Sequence, residues 1–130
     1  MTDRAPLART LHLPFAQVLE RVPVALKTEG FGVLTTIDVK ATVKARLDKD
    51  IAPYTILGAC NPTMAHQAIT LDPTIGVHLP CNVVVRELPD GGVEVRSIDP
   101  LQTIASSGRQ ELAGIADQVR AMLARVIAAV

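Results

Sequence analysis

The sequence predicts an α+β fold in which helices cover one face of a mostly antiparallel sheet of about five strands. Short apolar runs alternate with segments of helical spacing along most of the chain. Turn residues at 88–91 separate two β-branched runs, which is typical of an antiparallel hairpin. Residues 112–127 carry the apolar stripe of a long helix, which a sheet covered on one face would bury. A doubly wound parallel sheet is the competing architecture, but the hairpin and the lack of a Gly-rich phosphate loop disfavour it.

Composition indicates one globular domain spanning residues 1–130 and excludes two classes of partner. Hydrophobic residues make up 48% of the chain, which is enough to form a core. Thirteen basic residues balance thirteen acidic ones, and aromatic residues are only 2%. The chain therefore lacks both the positive field and the stacking side chains that nucleic-acid binding requires. No run is long enough to cross a membrane.

The N-terminal residues and the cysteine content predict a cytoplasmic protein. Residues 1–9 contain Arg4, Pro6 and Arg9 but no apolar run of the kind found in secretory signals. In the cytoplasm, the two cysteines are expected as reduced thiols and not as a disulfide.

The first half of the chain alternates strands and helices. Residues 7–13 predict a strand, and Pro14 opens a helix that Gly30 closes with a left-handed cap. Pro23 lies within this helix and predicts a kink or an irregular second half. Residues 32–37 predict the second strand.

The second helix and the third strand follow directly. Asp38 is a suitable N-cap for a helix over residues 39–47, and the spacing of Val43 and Leu47 predicts that both face inward. Residues 53–60 are apolar on both faces, which predicts an interior strand.

The second half contains a short helix, the hairpin and the long helix. Asn61 and Pro62 end the third strand and open a helix over residues 63–69. Residues 77–87 and 92–99 predict the two strands of the hairpin. Ser107 and Gln110 form a predicted capping box for the C-terminal helix. Its apolar stripe consists of Leu112, Ile115, Val119, Met122, Leu123, Val126 and Ile127.

Three ordered segments carry a resemblance to a known family. They are Gly30–Val39 (GFGVLTTIDV), Pro53–Pro62 (PYTILGACNP) and Leu79–Val85 (LPCNVVV), and Ser97–Pro100 with the following helix fits as well. Over about residues 10–127 the chain resembles the bacterial and archaeal domain-of-unknown-function family 302. The resemblance implies a compact α+β domain that assembles as a homodimer, and it implies no activity. Residues 101–107 lack the methionine-bearing run often found in the family.

The two cysteines mark the candidate site. Cys60 ends a predicted buried strand beside a helix start, where the helix dipole favours a thiolate. The alternative is that Cys60 serves as a small buried hydrophobe, which is common for free cysteine. Cys81 approaches Cys60 if their two strands pair. His66 follows Cys60 by six residues, and it either completes a soft-metal site with the two thiols or lies on the helix surface.

Two asparagines, Asn61 and Asn82, directly follow the cysteines and are candidates for lining the same cleft or for capping backbone groups. Two functions remain open, besides a purely structural role in which the sheet or the terminal helix mediates assembly. The first is a non-catalytic module that binds a small molecule or a soft metal ion near Cys60, His66 and Cys81. The second is a thiol-dependent redox or thiol-transfer enzyme, with Cys60 as the nucleophile and Cys81 as the resolving thiol. The sequence names no cofactor and does not decide whether the protein is an enzyme.

Overall fold

The computed structural model describes residues 6–130. The prediction that the chain has no secretory leader rests partly on residues 1–5, which lie outside the described residues. Five strands and five helices occur in the described part, with two additional 3-10 turns at Pro73–His78 and Ile104–Ser107. In chain order they are β1 (Ala8–Leu11), α1 (Phe15–Thr28), β2 (Gly32–Asp38), α2 (Val39–Leu47), β3 (Tyr54–Cys60), α3 (Pro62–Leu71), β4 (Cys81–Glu87), β5 (Val93–Ser97), α4 (Pro100–Thr103) and α5 (Gln110–Ala129).

The five strands form one sheet in the order β1-β5-β4-β3-β2, and every neighbouring pair is antiparallel. This confirms the predicted α+β class and the interior position of β3. The hairpin between β4 and β5 closes where the Leu88 amide donates to the Gly92 carbonyl at 2.7 Å. Gly91 there has a φ of +89°, a conformation that glycine adopts without a steric cost.

The core lies between one face of the sheet and the helices α1, α3 and α5. Leu57, Val83, Val85, Val93 and Val95 project from the sheet into it. The apolar stripe of α5 lies against them as predicted, with Met122 half-buried and the other six side chains buried. None of the helices within residues 6–130 is long and apolar enough to span a bilayer.

The predicted helix boundaries depend on capping residues that the structure confirms. The Asp38 carboxylate accepts from the Ala41 amide at 2.9 Å, and Asn61 accepts from the Met64 amide at 3.2 Å. Gly30 has a φ of +81° and ends α1. The irregular second half predicted after Pro23 is wrong, because α1 stays helical through to Thr28 with Pro23 inside it.

Two predictions about side-chain direction and strand length are wrong. Helix α2 has no buried residue: Leu47 is 63% exposed and Val43 is half-buried, although their spacing predicted that both face inward. Its main contacts are with β3. The strand predicted over residues 77–87 begins only at Cys81, because Pro73–His78 forms a 3-10 turn.

The predicted start of the last helix is also wrong. Helix α5 begins at Gln110 with Arg109 at the N-cap position, so position 107 is not the N-cap that the predicted capping box requires. Residues 100–107 fold instead as α4 and a 3-10 turn, which the sequence analysis did not predict. Asp99 caps α4 by accepting from the Leu101 amide at 3.0 Å.

Candidate functional site

A narrow hollow opens at the end of the sheet where β3 stops and β4 starts. Its floor is formed by residues of these two strands, and its walls by α3, α5 and the residues just before β4. The space between the lining atoms is about 340 Å³ including the part open to solvent, but the centre of a water molecule can move through only about 20 Å³ of it. The hollow therefore has room for one or two particles of the size of water.

The lining is apolar and rich in sulfur. Cys60, Met64 and Cys81 line the hollow together with aliphatic side chains and Phe31. Among the residues that the structure describes, Asn61 contributes the one lining side chain that contains nitrogen or oxygen. A ligand in the hollow would meet mainly carbon and sulfur.

The Asn61 side chain links the start of α3 to the end of α1 and to α5. Its Oδ1 accepts from the Met64 amide and starts α3, while its Nδ2 donates to the Glu29 carbonyl at 3.1 Å and lies 3.7 Å from the Met122 sulfur. Both ends of the amide are therefore engaged within the protein. Asn61 fixes the wall of the hollow and is less available to a ligand.

Cys81 is a buried, protonated thiol. Ala59 of β3 pairs with Cys81 of β4, so both side chains project toward the helices, and Cys81 is 5% exposed. Burial raises the pKa of the Cys81 thiol to about 11, and the nearby Cys60 adds to that rise. At pH 7 almost no thiolate is present, so Cys81 alone is a slow nucleophile.

Cys60 lies at the rim of the hollow and is half-buried. It is the residue after Ala59, and side chains alternate along a strand, so Cys60 and Cys81 leave the sheet toward opposite faces. Two cysteines whose Cβ atoms point apart are poorly placed for a disulfide. Both are free in the structure.

The remaining predicted site residues lie outside the hollow. His66 is exposed on α3, and its carbonyl accepts from the Thr70 hydroxyl at 2.7 Å. Asn82 is exposed and pairs with Gly58, which places it on the sheet face opposite to Cys81. Within residues 6–130, no group of three or more His, Cys, Asp or Glu side chains is placed to hold a metal ion.

The sequence analysis missed the two methionines at this corner. Met64 is 6% exposed and lines the hollow, and the Met122 sulfur lies beside the Asn61 amide. Met64 follows Cys60 by four residues across a helix start, a spacing that could have drawn attention to it. Met122 belongs to the α5 stripe and was interpreted only as a core residue.

Comparison with protein families matches residues 7–130 to the family described as "Domain of unknown function DUF302". Among solved structures, the chain is similar to the crystal structure of an uncharacterized conserved DUF302 protein from Bacillus stearothermophilus. The two are 26% identical with a TM-score of 0.86, over 95% of this chain and 98% of the other. A comparison with curated proteins finds no match. The family match spans nearly all of the described residues and the fold agrees with it, so the chain belongs to the DUF302 family.

Proposed function

We propose that this protein is a non-catalytic binding module, a single domain that holds a small ligand in the sulfur-lined hollow. The observation that carries this proposal is the lining itself: Cys60, Cys81 and Met64 come from two strands and a helix and surround one narrow space. Residues that are distant in the chain form the hollow, and the hydrogen bonds of Asn61 fix its wall.

The lining restricts the chemistry of the ligand. A strongly hydrated or multiply charged ligand would lose water and gain few hydrogen bonds, because the Asn61 amide already has partners within the protein. A small apolar molecule or a soft ion loses much less. His66 and Asn82 face solvent elsewhere and are left out of the proposed site.

The alternative, a thiol-dependent enzyme, has weaker support. A resolving thiol must attack as a thiolate, and the raised pKa of Cys81 opposes this. Cys60 and Cys81 leave the sheet toward opposite faces, and His66, the nearest predicted base in sequence, is exposed and does not line the hollow. A cytoplasmic location fits two free thiols that the sheet does not pair.

Occupancy of the hollow tests the binding proposal. The full chain, purified without chelators or affinity metal, is analysed for a bound small molecule by native mass spectrometry and for bound elements by elemental analysis. Ala65 lines the hollow and is half-buried, so Ala65→Leu should fill part of it and lower the occupancy at least several-fold. The control Ala121→Leu makes the same change on the exposed side of α5 and should leave the occupancy unchanged. Wild-type protein without any ligand, or equal occupancy in both variants, would refute the proposal.

We also propose that the chain assembles as a homodimer through the sheet face that the helices leave open. Ile37, Ile56 and Val84 lie side by side on β2, β3 and β4 and form an apolar row on that face. Helix α2 follows β2 directly, contacts β3 and leaves Leu47 exposed, and a nine-residue helix that buries nothing is too short to be stable alone.

A second copy is the partner that this surface fits, because a two-fold axis lets the α2 and apolar row of one chain cover those of the other. Sedimentation equilibrium should then give twice the 13.8 kDa of one chain. A mass of one chain at micromolar concentration would contradict the homodimer.

A further inference from the structure

We propose that the ligand of the hollow is a soft monovalent metal ion of the Cu(I) class, bound by the sulfur atoms of Cys81 and Met64, with Cys60 at the rim. This inference rests on the binding function proposed above and names its ligand. The chain has two cysteines and three methionines, and all of them except Met1 lie in or beside the hollow. Cysteine and methionine sulfur are the protein ligands that select Cu(I).

The size of the hollow favours a single bare ion. The centre of a water molecule has about 20 Å³ to move in, which is too little for a metabolite and enough for one atom. Mg²⁺ and Ca²⁺ require several oxygen ligands, and Mg²⁺ retains bound water. The Asn61 oxygen, which already accepts from the Met64 amide, does not meet that requirement.

The number and charge of the ligands point to a monovalent ion. A structural zinc site usually takes four Cys or His ligands, and residues 6–130 contain no group of even three such side chains suited to a metal. Cu(I) is satisfied by two or three sulfur ligands. One thiolate and one monovalent cation form a neutral pair, which a buried apolar site tolerates far better than a net charge.

Each sulfur has a distinct role in the proposed site. Cys81, 5% exposed at the floor, supplies the thiolate. On binding, its S–H proton passes to the buffer, a sulfur lone pair forms the bond to the ion, and the metal enters and remains as Cu(I). Met64 donates a neutral lone pair from α3. Cys60 is half-buried at the rim, and because it leaves the sheet toward the opposite face from Cys81 it is not counted as a ligand.

Anaerobic competition for Cu(I) tests this site. The full chain is titrated into the coloured complex of Cu(I) with bicinchoninate, and loss of colour reports transfer of the ion. Wild-type protein should take up one Cu(I) per chain. Cys81→Ala should weaken binding about 100-fold, and Met64→Leu, which keeps the size of the side chain but removes its sulfur, about 10-fold or more. Met122→Leu is the matched control, because its sulfur contacts Asn61 beside the hollow, and its affinity should stay within about twofold of wild type.

The outcomes separate this inference from the proposed function. Circular dichroism establishes first that each variant is folded. If wild-type protein takes up no Cu(I), or if Met64→Leu binds as tightly as wild type, the metal site is overturned. In that case the binding function still stands if Ala65→Leu lowers the occupancy of some other ligand. If Ala65→Leu changes nothing either, both proposals fall together.

Discussion

The Cys81 thiol ties the stability of the fold to pH. In the unfolded chain the Cys81 thiol ionises near its ordinary pKa of 9.0. In the folded protein, burial raises this pKa to about 11. Between these values the unfolded state has lost a proton that the folded state keeps, so the free energy of unfolding should fall as pH rises. The loss should reach about 2 kcal/mol near pH 11, judged from that shift.

The measurement compares urea denaturation of wild type and Cys81→Ala from pH 8 to 11. The difference between their free energies of unfolding should shrink across this window, since the variant lacks the titrating group. Cys60→Ala is the control and should keep most of the fall, because burial is the larger cause of the raised pKa. Parallel curves for wild type and Cys81→Ala would show that the thiol does not couple to folding.

Gly58 lets the side chains of Thr35 and Pro80 pack closely against β3. A Cβ atom at this position would overlap the Thr35 hydroxyl and come within 2.9 Å of the Pro80 ring. Gly58→Ala should therefore destabilise the fold by about 1–3 kcal/mol, the usual cost of overpacking. Gly76→Ala is the matched control, because an added Cβ there meets nothing within 4 Å and should change stability by less than about 0.5 kcal/mol. Thermal denaturation distinguishes the two variants, and equal melting temperatures would mean that Pro80 shifts freely.

At the scale of elements, α1 offers a direct test of which helix face forms the core. Val22 is 0% exposed and Val24 is 68% exposed on the same helix. Val22→Ala should cost about 2 kcal/mol, since it removes buried methyl groups and leaves a cavity. Val24→Ala should stay within about 0.5 kcal/mol of wild type. Similar urea midpoints for the two variants would contradict the assigned face.

The sequence predicted those elements whose local pattern and burial agree. The α5 stripe, the β4–β5 hairpin and the caps at Asp38 and Asn61 all belong to this group. Prediction from the sequence was wrong where one spacing of apolar residues is compatible with both a buried and an exposed helix face. Val43 and Leu47 have core-like spacing, yet spacing alone does not distinguish a face that meets the core from one that meets solvent or a partner.

The other errors have local causes. The β-branched residues before Cys81 favour a strand, but Pro73–His78 forms a 3-10 turn instead. Helix α4 has only four residues, Pro100–Thr103, which is too short for hydrophobic periodicity to reveal it. For the candidate site, the sequence pointed to both cysteines, and both line the hollow. Met64 and Phe31 reach the hollow through tertiary packing, which periodicity does not predict.

At the scale of the whole molecule, the two faces of the sheet are unequal. The helices cover one face, whereas the other carries the row of Ile37, Ile56 and Val84. Next to this row, Glu94 bonds to Arg96 and Arg86, at 3.2 and 3.1 Å, and these hydrogen bonds lower the pKa of the Glu94 carboxyl. The cluster stays charged at neutral pH. An apolar centre beside a charged border is the usual anatomy of a protein interface.

This arrangement predicts which surface substitution separates the proposed dimer. Ile37 is 47% exposed in one chain and lies in the apolar row, so Ile37→Glu would place a charge on each side of the two-fold interface. Sedimentation should then give the mass of one chain, and the melting temperature should no longer rise with protein concentration. Val77→Glu is the control, because Val77 is 85% exposed in the 3-10 turn after α3, away from the row. A dimer that survives Ile37→Glu but not Val77→Glu would move the interface to the opposite side of the molecule.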